Sequence, residues 1–125
     1  MKHTPGFLKL VTSAKKRVKE VTVADVRTRL SRSDEFVLID VREEHEWNEA
    51  HAAGAIHLSK GIIERDIEHK VPDKKTEIVL YCGGGFRSAL AADNLKKMGY
   101  KNVLSVAGGW KAWKTSRGKV RRGKG

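Results

Sequence analysis

Residues 78–88 read IVLYCGGGFRS, and this stretch decides the fold. Its first four residues form a continuous apolar run, which is typical of a strand covered on both faces of a sheet. Three glycines follow Cys82, and the alanine- and leucine-rich residues 89–98 then predict a helix that ends at Gly99. A buried strand, a glycine turn and a helix in immediate succession indicate a parallel sheet in an α/β fold.

The rest of the chain repeats this alternation of strand and helix. The sequence predicts further strands at 36–39, 54–58 and 103–106, and helices at 23–30, 43–49, 61–70 and from 109 onwards. We therefore expect a three-layer domain in which a central, mostly parallel five-stranded sheet carries helices on both faces. Ligands in such sheets sit at the carboxyl ends of the strands, and Cys82 occupies that position after its strand.

Charge is concentrated at the two ends of the chain. The formal net charge is +11, of which residues 1–19 contribute +6, residues 111–125 contribute +7 and residues 20–110 contribute −2. We predict a basic amphipathic N-terminal helix that packs on the domain within 1–19, the domain itself over 20–114, and a basic, disordered tail over 115–125. Basic ends of this kind either remain solvated or attract an acidic protein or a nucleic acid through salt-sensitive forces.

The composition excludes several classes of protein. No apolar run is long enough to cross a membrane and no secretory signal is visible, so we expect a soluble, cytoplasmic protein, and we expect it to be a monomer. A single cysteine forms no internal disulfide and cannot build a cysteine-based zinc site. His45, His51 and His57 recur every six residues, a spacing that does not pair ligands on a helix face, so we predict no metal and no cofactor.

The position of Cys82 predicts a reactive thiol. It stands between a strand and a helix, where unsatisfied backbone N–H groups and the positive end of the helix dipole stabilise an anion. The glycines at 83–85 allow successive amides to turn inward as an anion-binding nest, and Arg87 adds a positive charge. We therefore expect a nucleophilic thiolate, although a lone cysteine can also be a small buried hydrophobic residue.

Two phosphate-binding alternatives fit this loop less well. Gly83, Gly85 and Ser88 loosely imitate a dinucleotide fingerprint, but no acidic residue ends the next strand to bind a ribose. Cysteine-dependent phosphatases also place a cysteine after a strand and an arginine at the start of a helix. The loop between Cys82 and Arg87 is one residue shorter than in their signature.

Four stretches, in order and with matching spacing, resemble the rhodanese family. Residues 82–88 resemble its active loop, residues 40–42 its Asp-Val-Arg motif, residues 51–57 its His-Ile-Pro-Gly-Ala motif, and residues 108–113 its final glycine pair and aromatic helix. The similarity covers roughly residues 18–113. It departs from the family where two alanines replace the apolar residue and the proline of the third motif.

The resemblance implies a sulfurtransferase of the thiosulfate sulfurtransferase, or rhodanese, type. Thiolate Cys82 would attack the outer sulfur of a donor such as thiosulfate, sulfite would leave, and cyanide or a thiol would take the sulfur from the resulting persulfide. No second cysteine is present in the sequence to resolve this persulfide as a disulfide, so an external acceptor is required. The loop residues expected to bind the substrate are Gly83, Gly84, Gly85, Phe86, Arg87 and Ser88.

The resemblance leaves three questions open. Asp40 and Arg42, at the end of a neighbouring strand, either contact the substrate or form a structural ion pair. The loop carries no cation before Arg87, unlike many relatives that use thiosulfate, so the sequence does not fix the donor. The second hypothesis for function is a non-catalytic sulfur carrier or interaction module that receives sulfur from a protein partner.

Overall fold

Strands and helices alternate along the part of the chain that the structure describes. The computed structural model describes residues 2–123. Its strands are β1 (Lys19–Val21), β2 (Val37–Asp40), β3 (His51–Ala52), β4 (Ile56–His57), β5 (Glu77–Tyr81), β6 (Asn102–Val106) and β7 (Val120–Arg121). Its helices are α1 (Pro5–Lys15), α2 (Val23–Ser31), α3 (Glu44–Glu49), α4 (Ile63–Lys70), α5 (Phe86–Lys97) and α6 (Gly109–Thr115). None of these described helices has the length and apolar character needed to cross a membrane.

All five strands of the main sheet run parallel, in the order β1-β6-β5-β2-β4. Strand β5 therefore lies in the centre, hydrogen bonded to β6 on one side and to β2 on the other. Parallel strands require crossover connections, and here these connections place helices on both faces. The architecture confirms the expected three-layer α/β fold and places Cys82 at the middle of the sheet's carboxyl end.

Alternate residues of β5 enter two separate hydrophobic cores. Ile78 and Leu80 are fully buried in the core that includes residues of α4 and α5. Val79 and Tyr81 point to the opposite face, where they pack with residues of α2 and with Trp113 of α6. Burial on both faces explains why this strand reads as a continuous apolar run.

Local signals set the starts of two helices. Thr22 caps α2, because its hydroxyl accepts a hydrogen bond from the Asp25 amide at 3.1 Å, and Asp25 Oδ2 accepts one from the Thr22 amide at 3.3 Å. Helix α5 begins at Phe86, three residues earlier than its composition predicted. The reason is that Gly85 turns the chain directly from the loop into the helix.

The short strands β1, β3 and β7 were not predicted. Each has only two or three residues, and none contains an apolar run. Their hydrogen bonds depend on remote partners, since β1 pairs with β6 and β3 pairs antiparallel with β7. Local sequence carries no signal for such pairings.

The C-terminal segment is ordered where the sequence predicted disorder. Strand β7 pairs with β3. The indole nitrogen of Trp113 donates to the Lys119 carbonyl at 2.9 Å, and the buried ring packs against Gly118. The prediction of a disordered tail over 115–125 is therefore wrong for its described part, because a partner strand remote in sequence pairs with it. Residues 124–125 lie outside the described residues.

Helix α1 lies against α5. Its Val11 and Ala14 are buried together with Leu90 of α5. Arg17, just beyond the helix, donates two hydrogen bonds of 2.9 and 2.8 Å to the carboxylate of Asp93 in α5. These contacts hold the N-terminal part of the chain beside α5.

Candidate active site

The Cys82 side chain meets backbone amides at the start of α5. Its Sγ accepts hydrogen bonds from the amides of Gly85 at 3.1 Å and Ser88 at 3.3 Å. The Ser88 hydroxyl lies 3.5 Å from Sγ and 2.8 Å from the hydroxyl of Ser105. Cys82 is only 1% exposed, yet the groups that contact its sulfur are hydrogen-bond donors suited to an anion. Two amides, those of Gly85 and Ser88, therefore point towards the sulfur.

Gly85 is the residue that allows this geometry. Its φ is +96°, in the left-handed region, immediately before the first residue of α5. A Cβ at this position would lie 3.2 Å from the Val106 carbonyl oxygen and 3.3 Å from the Gly108 amide nitrogen. Both the backbone conformation and the closeness of the neighbouring chain therefore require glycine here.

We expect Gly85→Ala to slow alkylation of Cys82 by iodoacetamide about tenfold, because the sulfur anion loses a correctly placed amide. The substitution should also lower the free energy of unfolding, measured in urea, by about 1 kcal/mol, because alanine is strained in the left-handed conformation. Gly61→Ala is the matched control, since no atom lies within 4 Å of a Cβ built there. Equal alkylation rates in the two variants would contradict a stabilising role for the loop amides.

The start of α6 holds the other side of the loop. The Trp110 amide donates to the Cys82 carbonyl at 2.7 Å, and the Lys111 amide donates to the Gly83 carbonyl at 3.1 Å. Gly109 has a φ of +49° and leaves no space for a Cβ beside the Cys82 carbonyl. The glycine pair at the start of α6, visible in the sequence only as a motif, thus allows this helix to approach the loop.

Arg87 is paired with Glu46 of α3. Its Nη1 donates to Glu46 Oε1 at 2.9 Å, and its Nη2 lies 3.4 Å from Oε2. The hydrogen bond to Glu46 and the negative charge of Glu46 raise the pKa of Arg87 despite burial. Burial raises the pKa of Glu46, but hydrogen bonds from Arg87 and the Glu43 amide, with nearby positive charge, bring it below its ordinary value. The pair ties α5 to α3 and keeps a positive charge at the loop.

The lowered pKa of Glu46 predicts a pH-dependent difference between wild type and Glu46→Gln. A depressed carboxyl pKa stabilises the fold above the ordinary value of 4.5, and this contribution is lost as pH falls through the lowered value. Urea denaturation should show wild type to be more stable near neutral pH, by up to about 1 kcal/mol, with no difference in acid. The exposed Glu44→Gln on the same helix is the control. A difference that persists in acid would contradict the assignment.

Asp40 and Arg42 form a buried ion pair under α6. Arg42 Nη2 donates to Asp40 Oδ2 at 2.8 Å and to the Ala50 carbonyl at 2.7 Å. The Arg42 guanidinium lies 4.6 Å from the centre of the Trp110 ring, and the side chains of the pair are 4% and 0% exposed. In the described part of the chain neither residue lines the pocket that contains Cys82. This placement supports the structural ion pair over a substrate contact.

Cys82 lies at an open pocket of about 1010 Å³ between α1 and α6. Arg87 lines it from the loop, and Lys111 lines it from α6. Lys111 is a second cation, which the loop sequence itself lacks. His3 and Phe7, from the N-terminal segment, line the same pocket. The sequence did not identify Lys111, His3 or Phe7 as site residues, because each belongs to an element that is remote from the loop in sequence.

The histidines contact aromatic and backbone groups. The His51 ring stacks on Trp47 with centroids 3.4 Å apart and planes at 4°, and the His57 ring lies 5.1 Å from Trp47 on a nearly parallel plane. His57 Nε2 also lies 2.8 Å from the Arg42 carbonyl. Over residues 2–123 no group of three or more His, Cys, Asp or Glu side chains could hold a metal ion. His51 and His57 therefore contribute to packing around the Asp40–Arg42 pair.

Comparison with known families agrees with the fold and with the position of the loop. The family described as the rhodanese-like domain matches residues 13–116. The chain belongs to the rhodanese-like family. The match includes the Cys82 loop, the ion pair and α6, so the resemblance of the four sequence motifs is confirmed at the level of the family.

Relatives of this rhodanese-like domain are named for sulfur chemistry. The thiosulfate sulfurtransferase GlpE of Coxiella burnetii is 34% identical over 85 residues, which cover 68% of this chain and 78% of GlpE. YrkF of Bacillus subtilis (strain 168), named as a candidate sulfur carrier protein, is 29% identical over 96 residues. Those residues cover 77% of this chain and 51% of YrkF, so the chain spans about half the length of that relative. The family and these names support sulfur transfer in general.

A solved structure is similar to this rhodanese-like domain along nearly its whole length. The protein, from Rhodopseudomonas palustris CGA009, has a TM-score of 0.82 and 29% sequence identity, and the match covers 97% of this chain and 98% of that chain. It is described as a protein of unknown function and a possible tyrosine phosphatase. Most residues that flank the 13–116 family match, including much of α1, therefore have a counterpart in that fold.

Proposed function

We propose that this rhodanese-like domain is a sulfurtransferase that moves sulfane sulfur from a thiosulfate-like donor to cyanide or a thiol through a persulfide on Cys82. The observation that carries the proposal is the pair of amides, from Gly85 and Ser88, that donate to Cys82 Sγ at 3.1 and 3.3 Å. Fixed amide dipoles stabilise a sulfur anion without reorganising during the reaction. Family membership and the name of GlpE support the same chemistry.

The first half-reaction loads the enzyme. The Cys82 thiolate attacks the outer sulfur of thiosulfate and forms a new sulfur–sulfur bond. The sulfur–sulfur bond of the donor breaks, and its electron pair leaves on sulfite. Arg87 and Lys111, which line the pocket, are the positive groups available to the sulfonate end of the donor.

The second half-reaction transfers the sulfur from the Cys82 persulfide to an acceptor. Cyanide or a thiolate attacks the outer sulfur of the persulfide, which releases thiocyanate or an acceptor persulfide and restores the Cys82 thiolate. Cys82 is the only cysteine in the sequence. The acceptor therefore comes from outside the chain.

Intact-mass measurement tests this proposal. After incubation with thiosulfate we expect the protein to gain the mass of one sulfur atom, since the thiolate is the attacking group. Addition of cyanide should remove that mass and produce thiocyanate. A protein that is folded by circular dichroism and gains no sulfur from thiosulfate would contradict the thiosulfate-like donor.

The name of YrkF favours a second candidate, a carrier that receives sulfur from a protein partner. Lys111 lines the pocket, Lys114 belongs to the same helix, and residues 111–125 contain no acid. Such a surface would attract an acidic protein or a nucleic acid in a salt-dependent manner. Loading from a persulfidated protein, with none from thiosulfate, would favour the carrier.

The description of the R. palustris structure raises phosphatase activity as a further candidate. The contacts of the site argue against it here. In the described chain no Asp or Glu lines the Cys82 pocket to act as a general acid. We expect hydrolysis of p-nitrophenyl phosphate to equal that of a Cys82→Ser variant. Cys82-dependent hydrolysis would favour the phosphatase instead.

A further inference from the structure

Helix α1 and the residues before it bring two aromatic rings to the Cys82 pocket. His3 and Phe7 both line this pocket. Their rings contact Phe86 of the loop, with centroid separations of 4.7 Å for His3 and 6.1 Å for Phe7, and they lie 5.2 Å from each other. The three rings form one continuous surface, which we call the aromatic wall.

Contacts outside the pocket fix the aromatic wall in place. Val11 and Ala14, one and two turns further along α1, are buried against Leu90. Arg17 and Asp93 join the same two elements through paired hydrogen bonds of 2.9 and 2.8 Å. The first turn of α1 is therefore held beside the catalytic loop by buried contacts, and not by the aromatic rings alone.

Two of the other lining residues carry positive charge. Arg87 and Lys111 supply two cations to the pocket. Its volume of about 1010 Å³ is at the upper end of the usual range for small-molecule sites, whereas thiosulfate and cyanide consist of only a few atoms. Neither anion has an apolar group that could contact the aromatic wall. The pocket thus combines an anion-binding part with an apolar part that these two small substrates leave unused.

We propose that His3, Phe7 and Phe86 determine donor specificity, and that the pocket selects anionic sulfane-sulfur donors that carry an apolar organic group. This inference rests on the proposed sulfurtransferase function and names the donor class for the same site. The anionic end binds near Arg87 and Lys111, and the organic group packs on the aromatic wall. Removal of the organic group from water then adds to the binding of the transition state.

Organic thiosulfonates are the simplest donors of this class, because an organic group replaces one oxygen of thiosulfate. The Cys82 thiolate attacks their outer sulfur, and a bond forms between Sγ and that sulfur. The sulfur–sulfur bond of the donor breaks, and its electron pair leaves on the organic sulfinate. The enzyme retains one sulfur atom and one negative charge as the persulfide, so no further oxidant or reductant is needed.

The test compares benzenethiosulfonate with methanethiosulfonate, which share the reacting group and differ in the organic group. The rate of thiocyanate formation is measured with each donor and divided by the donor's reactivity towards a small free thiol. We expect wild type to prefer benzenethiosulfonate by about tenfold in kcat/KM. No preference after this correction would overturn the inference.

Three variants connect the preference to the aromatic wall. Phe7→Ala should reduce it to below about threefold. Leu10 is 58% exposed on the same helix, so Leu10→Ala should leave the preference unchanged. His3→Ala changes an exposed residue ahead of the helix, so it tests the wall even if Phe7→Ala does not fold. If Phe7→Ala and His3→Ala fold and keep the wild-type preference, the inference is overturned. Failure of all donors, thiosulfate included, would overturn the proposed function and this inference with it.

Discussion

Replacement of Cys82 by serine should abolish sulfur transfer, lowering thiocyanate formation from thiosulfate and cyanide by on the order of a thousandfold or more. The hydroxyl stays protonated near neutral pH, so it offers no anion for the amides of Gly85 and Ser88 to stabilise. The same variant should gain no sulfur mass from thiosulfate. Both results are expected because Cys82 Sγ is the atom proposed to attack the donor.

The fold of Cys82→Ser should be retained, because serine is close in size to cysteine and the Ser88 hydroxyl lies within reach of the new side chain. Urea denaturation and circular dichroism of the variant beside wild type provide the control. Transfer at a rate close to wild type in a folded Cys82→Ser protein would refute the persulfide on this residue.

Asp40→Ala should lower the free energy of unfolding by about 3–5 kcal/mol, because it leaves the buried Arg42 guanidinium without its partner. Burial lowers the pKa of Arg42, but the hydrogen bonds and charge of Asp40 outweigh it and raise the pKa. The arginine therefore keeps its charge in the interior. Urea denaturation measures the loss.

Two further variants distinguish this prediction from a general effect of lost charge. Asp66→Ala removes a carboxylate that pairs with Arg65 at 2.7 Å on the surface, and it should change stability little. The double variant Asp40→Leu with Arg42→Leu should recover part of the stability, because no charge is left unpaired. A loss in Asp40→Ala no larger than in Asp66→Ala would show that the pair does not support the fold.

The sequence predicted the elements whose signals are local. The apolar run that ends at Tyr81 is buried on both faces, so its hydrophobicity alone indicated a central strand. The helix predicted over 23–30 is present as α2, which begins at Val23 directly after its cap Thr22. The nest around Cys82 was predicted for the same reason, since strand, glycines and helix are consecutive in the chain.

Contacts between remote segments could not be predicted in this way. Glu46 pairs with Arg87, which lies 41 residues away in the sequence. Since Glu46 is one of several acids in α3, the sequence does not indicate which of them has this partner. Strand β7 forms only because β3 lies beside it. Phe7 lies within the predicted N-terminal helix, but its place at the pocket depends on how α1 packs on α5.

The depth of Cys82 limits which molecules could collect a sulfur atom from the proposed persulfide. Cys82 is almost wholly enclosed, and the Trp110 and Lys111 amides donate to the carbonyls of the first two loop residues, which ties the start of the loop to α6. A receiving group must therefore enter the cleft. A small anion, or a thiol on a slender and flexible chain end, could reach the sulfur, whereas a thiol embedded in a flat protein surface could not.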